Sequence, residues 1–319
     1  MNYIVIDLEW NQANGTTEPV PELPFEIIEI GAVKVDEAGR FVGEFNELIR
    51  PCVYTTLNYV TSKLIHLRTH ELERGKPFKE VYDKLIEWIG EEEYIFCTWG
   101  TLDILELQRN IDYHGLKSLS EEPIPYLDAQ KLYALIFDEG DHERKSLEHA
   151  VDELYIEKDI PFHRAFSDAY YTAKVLNRLK SKDSSKLSYI SYDVYMAPKS
   201  RSSEIKIVFD NYAKYISRTF DNKVLLFADR EVSSTKCYKC RRNLKKKIKW
   251  FTMNSRHYYA LAYCEEHGYL KGKIRLKRDK EGRLFVVKTT KLISEADAEK
   301  LKYKYAHMGK RLKKENREI

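Results

Sequence analysis

The 319-residue sequence predicts an α/β protein, a mixed β-sheet covered by helices and followed by a smaller β-rich domain. Three observations predict it. Strand-like and helix-like periodicities alternate through the first 180 residues, and β-like runs dominate from Lys247 onward. Charge also changes sign along the chain. Residues 1–180 hold 19 Lys and Arg against 34 Asp and Glu, net −15, whereas residues 181–319 hold 35 against 16, net +19. At this length two domains are the default, and 43% hydrophobic residues supply a core for each. The polar stretch SKDSSKLS (Ser181–Ser188) opens an expected connecting region, 181–231, between a domain at 1–180 and a basic domain at 232–319.

The elements follow in order. YIVID (Tyr3–Asp7) is an apolar run that reads as a buried strand, and EIIEIGAVKVD (Glu26–Asp36) and RFVGEFNELI (Arg40–Ile49) read as a hairpin turning at Glu37–Gly39. FKEVYDKLIEWIG places Val81, Leu85, Trp88 and Ile89 on one helical stripe. A short strand, YIFCTW (Tyr94–Trp99), leads into a helix from Thr101 to His114, with Thr101 a cap. IPYLDA gives a further strand, and helices are expected at Ala129–Ile136, Ser146–Leu154 and Ala165–Lys180. In the second half a helix is expected in SEIKIVFDNYAKYIS. Strands are expected in KIKWFTM, HYYALAYC, GKIRLKRD and RLFVVKTTKL, and a helix ending in a basic tail over EADAEKLKYKYAHMGKRLKKENREI.

No apolar run reaches the length of a membrane span, and the N-terminus lacks the basic segment and apolar core of a signal peptide, so a cytoplasmic location is expected. Five cysteines, an odd number without a regular framework, fit a reducing compartment. An acidic half joined to a basic half with interleaved aromatics suggests a catalytic unit and a unit that holds a polyanion.

Asp7 and Glu9 flank one leucine at the end of the first strand, so they point the same way, roughly 6 to 7 Å apart along it. Like charges so close require a reason. Asp103 lies in the first turn of a helix, where the dipole alone favours an acid. Asp168 shares a helical face with Ala165, Ala169, Thr172, Val175 and Leu179, so it enters the stripe that packs on the sheet. A carboxylate there must be paired, protonated or metal-bound. His163 precedes that helix on a loop.

These residues resemble a family. Asp7-x-Glu9 after a strand, Asp103 opening a helix, and HRAFSD carrying His163 and Asp168 resemble the three motifs of the DEDDh branch of the DnaQ-like 3′-to-5′ exonucleases, over residues 1–180. The wording DLEW, EIIEIGAV, TWGTLD and FHRAFSDA is most similar to the Eri/KapD-like subgroup, whose better-known members trim RNA 3′ ends. One departure is visible: KLIHLRTHEL, with His66 and Leu67, stands where family members often carry a Thr-Gly pair. The resemblance implies an RNase H-like fold and hydrolysis of phosphodiesters at single-stranded 3′ ends. It also implies two Mg2+ or Mn2+ ions, with Asp7 bridging both, Glu9 and Asp168 holding the ion that activates water, and Asp103 supporting the other. Four carboxylates need such cations, and hard oxygen donors suit them. His163, an imidazole with a reference pKa of about 6.5, is the general base. Trp10 has two open readings, stacking on a terminal base or filling the core.

In the second half, CYKC (Cys237–Cys240) and CEEH (Cys264–His267) are two knuckles whose Cys237, Cys240, Cys264 and His267 form a structural-zinc set in a zinc-ribbon-like β domain. Lys245, Lys246, Lys247, Lys249 and Trp250, with Lys271, Lys273 and Arg275, are expected to form a basic surface with aromatics (Phe251, Tyr258, Tyr259) for a nucleic-acid backbone. The expected partner is single-stranded nucleic acid, RNA favoured, with no membrane. Two other functions stand beside the RNA exonuclease: a DNA 3′-end exonuclease of proofreading or repair type, and a non-catalytic nucleic-acid-binding protein on a nuclease scaffold.

Overall fold

The computed structural model describes residues 1–15, 17–65, 67–137 and 144–309. His66 and the last residues of the basic tail lie outside them. The chain divides into two units, 1–195 and 196–319.

The first unit runs β1 (Asn2–Asn11), β2 (Glu26–Val35), β3 (Phe41–Leu48), α1 (Tyr59–Leu64), α2 (Thr69–Leu72), α3 (Phe78–Ile89), β4 (Tyr94–Thr98), α4 (Asp103–Tyr113), β5 (Pro125–Asp128), α5 (Ala129–Phe137), α6 (Leu147–Glu153), α7 (Ala165–Asp183) and β6 (Ser191–Tyr192). Its sheet has the order β3-β2-β1-β4-β5-β6. β1 pairs antiparallel with β2, from Tyr3 opposite Val35 to Asn11 opposite Glu26, and parallel with β4, from Asn2 beside Tyr94 to Val5 beside Cys97. This is the expected mixed sheet.

Strand alternation sorts β1 between two layers. Tyr3 and Val5 pack with α5, α6 and α7 in one core cluster, while Ile4, Ile6 and Leu8 pack with α3 and α4 in the other. With both faces covered, β1 reads as an almost continuous apolar run. The parallel pairing brings the carboxyl ends of β1 and β4 side by side, and α4 starts just beyond β4. Asp103 therefore arrives near the end of β1, where open α/β sheets bind ligands. Leu102, without a side-chain bond, caps α4 instead of Thr101.

The connecting region expected at 181–231 is divided between the units. α7 runs on to Asp183, a short 3-10 turn covers Ser184–Ser188, and β6 pairs with β5, so residues to Tyr195 belong with the first sheet. Moving the boundary leaves the charges unchanged, because residues 181–195 carry two lysines and two aspartates.

The second unit contains β7 (Ile205–Val208), β8 (Tyr212–Ile216), α8 (Lys223–Ala228), α9 (Arg230–Ser233), β9 (Lys246–Thr252), β10 (His257–Cys264), β11 (Gly268–Arg278), β12 (Leu284–Ile293) and α10 (Glu295–Ala306). Its six strands are antiparallel in the order β7-β8-β12-β11-β10-β9. The helix expected in SEIKIVFDNYAKYIS is instead the β7–β8 hairpin. Ile205, Ile207 and Val208 are β-branched, and Asp210–Asn211 supplies turn chemistry, which overrides the apparent helical spacing. One face of this sheet packs on α8 and α9 through Trp250, Tyr258 and Ile274. The other is covered at one end by α10, whose Ala298 and Leu301 meet Ile248, Phe251 and Leu261. Among the described residues no helix is long and apolar enough to cross a membrane.

Candidate active site

Asp7 and Glu9 leave β1 on the face that α7 covers, and Asp168 comes from the first turn of α7. One ligand oxygen from each lies within 4.8 Å of those of the other two. Asp103, buried at the head of α4, is the charge that acts most strongly on Asp7.

Every member of this group is harder to ionise than an ordinary carboxylic acid, and burial is the first cause throughout. Asp7 is raised well above the usual range by burial, then by the charges of Asp103, Asp168, Glu9 and Glu29. Glu9 is pushed up to about 8 by burial and the charges of Asp168 and Glu29, against Arg164. Asp103 rises to about 7 through burial, opposed by hydrogen bonds from its own amide and that of Leu8. Burial lifts Asp168 to about 6, although the His163 amide and the His163 charge work against it. A group that resists ionisation yet offers converging oxygens fits hard divalent cations, which supply the missing charge.

The positioning depends on residues that the sequence alone did not single out. Gly31 lies opposite Asp7 in the β1–β2 register, and a Cβ there would stand 2.0 Å from the Phe166 nitrogen. The first turn of α7 therefore rests directly on β2, which brings Asp168 to Asp7. Glu29, opposite Glu9 and fully buried, is gripped by Arg164: Nη2 donates to Oε1 at 2.7 Å and Nε to Oε2 at 3.0 Å. The fork is bidentate and ties the base of α7 to β2. His163, just before it, is exposed, adopts φ 65° and donates its amide to Asp168 Oδ1 at 3.4 Å. A left-handed conformation in a non-glycine residue stores strain, here at a candidate catalytic position. The available signals were a glycine in a strand interior and an acid inside an apolar run.

Trp10 lies apart from the carboxylates. A bulge follows Glu9, and the half-buried Trp10 ring packs 5.5 Å from Phe25 on the layer of Ile6 and Leu8.

An exonuclease family model, RNase_T, matches residues 4–176. The chain belongs to this exonuclease family. Asp7, Glu9, Asp103 and Asp168 with His163 fall within the matched residues, in the order of the DEDDh motifs that the sequence resembles, and the family implies divalent metal ions. Solved structures similar to this exonuclease include the nuclease domain of 3′hExo, a DEDDh family member bound to rAMP, at 21% identity over 56% of this chain and 92% of that one, with a TM-score of 0.49. A 3′-exonuclease described for 3′-end specific recognition of a histone mRNA stem-loop matches at 20% identity, 56% and 81% coverage and a TM-score of 0.49. The Mg2+- and Mn2+-bound form of S. pombe Pop2p matches at 17%, 58% and 84%, with a TM-score of 0.42. No curated protein sequence matches the chain.

The second unit of the exonuclease carries the other ligand cluster. Cys237, Cys240, Cys264 and His267 converge, with Cys240 Sγ 3.6 Å from Cys264 Sγ, and His267 Nδ1 3.6 Å from Cys264 Sγ and 3.8 Å from Cys237 Sγ. A tetrahedron of thiolates and imidazole around zinc has edges of about 3.4 to 3.8 Å, given Zn–S of about 2.3 Å and Zn–N of about 2.0 to 2.1 Å. Each knuckle closes with a left-handed residue, Arg241 at φ 62° and Gly268 at φ 84°. Burial raises the Cys264 thiol, but hydrogen bonds from His267 and the Glu266 and His267 amides outweigh it and bring it down to about 6.

The basic surface expected here is split. Trp250 is 6% exposed, donates Nε1 to the Ser233 carbonyl at 2.8 Å and lies against Gly272, so it is a core residue and not a stacking platform. Tyr258 and Phe251 are buried as well. Lys246, Lys247 and Lys249, with Lys245 just before them, line β9, an edge strand of the sheet. Lysines on an edge discourage further strand pairing, which accounts for them without a ligand. Lys271, Lys273 and Arg275 sit on β11, away from that edge.

Proposed function

We propose that this exonuclease removes nucleotides one at a time from the 3′ end of single-stranded nucleic acid, RNA in preference to DNA, with Asp7, Glu9, Asp103 and Asp168 holding two Mg2+ or Mn2+ ions. The observation that carries the reading is the convergence of the Asp7, Glu9 and Asp168 oxygens, with the His163 amide on Asp168, in a chain of the exonuclease family. Bound divalent cations supply Lewis-acid stabilisation of the phosphodiester. The chain supplies the rest. His163 accepts the proton of the attacking water, and its amide contact with Asp168 keeps the imidazole's backbone at the cluster. Cleavage leaves a nucleoside 5′-monophosphate and a shortened strand with a free 3′ hydroxyl. The likeness of DLEW, EIIEIGAV, TWGTLD and FHRAFSDA to RNA-trimming relatives supports the RNA preference. In the second unit, Cys237, Cys240, Cys264 and His267 hold one structural zinc, a reading supported by their donor spacing.

The test is side-by-side digestion of matched RNA and DNA strands, each labelled at the 3′ end, with and without Mg2+. Mg2+-dependent release of labelled mononucleotide, faster from RNA, is the expected result. Release that ignores Mg2+ sinks the metal site, and equal rates sink the sugar preference. Protein grown with zinc should carry about one zinc per chain by elemental analysis.

A further inference from the structure

Two clefts in the second unit share one strand. The first, about 640 Å³, lies between α10 and the β11–β12 pair, and is lined by Lys271, Lys273, Lys291, Lys300 and Lys304, with Asp297 among them. The second, about 650 Å³, is lined by Lys223, Arg256, Arg275, Lys277 and Arg278. β11 runs through both. Its alternation puts Leu270, Gly272 and Ile274 into the core and leaves Lys271, Lys273, Arg275 and Lys277 on the opposite face. Those four cations repeat every second residue, so they stand about 7 Å apart along about 20 Å of strand.

Among the residues lining the two clefts one is acidic. Asp297, the acid of the first cleft, is paired with Lys300 at 3.1 Å. Among the described residues no ion pair engages Lys271, Lys273, Arg275 or Lys291. Lys271 is harder to protonate than an ordinary lysine, first through burial and then through the charges of Lys273 and Lys304, which outweigh that of Asp297. A row of mutually repelling cations is relieved by an anion that is itself a row. Ring faces accompany it: Tyr259 stands opposite Lys273 on β10, with Lys271 Nζ 5.7 Å from its ring, and the exposed Tyr263 follows on the same face.

We infer that the β11 face, from Lys271 to Lys277, is a track for the sugar-phosphate backbone of single-stranded nucleic acid, with Tyr259 and Tyr263 offering stacking surfaces. The inference rests on the reading that the substrate is a nucleic-acid strand, and it narrows the expected basic surface to its β11 members, extended to Lys277, without the β9 lysines and Trp250. Regularly spaced cations on one strand match a backbone followed lengthwise, and ring faces take bases of any sequence once these are unpaired.

The experiment measures affinity of the full-length protein in buffer free of Mg2+ and Mn2+ and without chelator, where ion-dependent cleavage cannot consume the probe and zinc is not stripped from the second unit. The probe is a fluorescent oligouridylate of about 20 nucleotides, titrated across a salt series. Lys273→Gln/Arg275→Gln should weaken binding at least about tenfold and make the log-log salt slope shallower by about 1.4, two phosphates at 0.7 each. The edge pair Lys247→Gln/Lys249→Gln should change affinity less than about twofold. Lys273→Arg/Arg275→Lys keeps the charges and should bind like the parent, so that a loss in this variant too would assign the effect to folding and overturn the track. Unchanged affinity in the glutamine pair, or an equal loss in the edge pair, also overturns it. A matched duplex that binds as tightly, with the same response to the β11 change, overturns the single-strand assignment. Because binding without Mg2+ or Mn2+ needs no turnover, protein that binds through β11 but releases no mononucleotide in Mg2+ defeats the exonuclease reading and supports the track. Protein that cleaves normally while the β11 variant binds like the parent defeats the track alone.

Discussion

The carboxylate cluster of the first unit and the Cys3His cluster of the second are both crowds of ligands, built in opposite ways. Asp7 and Glu9 of β1 and Asp168 of α7 meet only when the mixed sheet and α7 are in place, with Asp103 of α4 buried and acting on Asp7 by its charge. The cysteines and His267 come from two tight turns, 237–240 and 264–267, that the β9–β10 pairing brings together. A site assembled by the fold can exist before its ions arrive, at the cost of carboxyls that resist ionisation. A site assembled from two turns has little to hold it without its ion.

The sharpest break of this contrast is Asp7→Asn. It removes the carboxylate on which every other charge of the cluster acts, so turnover should fall by at least about three orders of magnitude. Its melting temperature without metal should nevertheless rise, because an ionisable group buried among like charges has been replaced by a neutral one. Loss of both activity and stability would mean that Asp7 is a structural residue. His163→Asn should lower kcat by about 10² to 10⁴, with the Mg2+-induced rise in melting temperature retained, since the imidazole is assigned the proton and not the ions. Gly31→Ala should destabilise the protein by about 3 kcal/mol, measurable by urea unfolding, because its Cβ would overlap the backbone at Phe166.

The smallest effect is a dependence on pH that separates the clusters. Carboxyls held at about 6, 7 and 8 are protonated in the folded protein well above the ordinary carboxylate range of about 4. Their contribution to stability is fully present below that ordinary range and is lost as pH rises through the folded values. Metal-free protein should therefore melt several degrees lower at pH 8 than at pH 5, and saturating Mg2+ should flatten the dependence. A melting temperature without metal that climbs over this window would contradict the buried cluster.

Much of the carboxylate site was legible because chemistry left marks in local sequence. Asp7 and Glu9 interrupt an apolar strand, and Asp168 interrupts an apolar helical stripe. What local sequence could not carry was adjacency between strands. Glu29 faces Glu9 only through the β1–β2 register, and Arg164 reaches Glu29 across 135 positions. In the second half the error had a different origin. WF and YY within basic runs read as an exposed aromatic surface, but alternation on β9 and β10 turns Trp250 and Tyr258 inward, where Gly272 leaves room for the indole. The sequence reads the hairpin at Ile205–Ile216 as a helix because strands of four and five residues around Asp210–Asn211 leave a spacing that a helix would also give.

The contact at Gly31 also limits how this exonuclease can change. Where a side chain separates two elements, trimming or enlarging it moves them by fractions of an ångström. Between β2 and the start of α7 there is no such spacer, only main chain against main chain, and no residue is smaller than glycine. The distance between β2, which pairs with the strand that carries Asp7, and the helix that carries Asp168 is thus not adjustable at this point in either direction. Variation in the size of ion accepted has to come from the reach of the carboxylates, through exchanges such as Asp168→Glu, and leaves the frame that holds them alone.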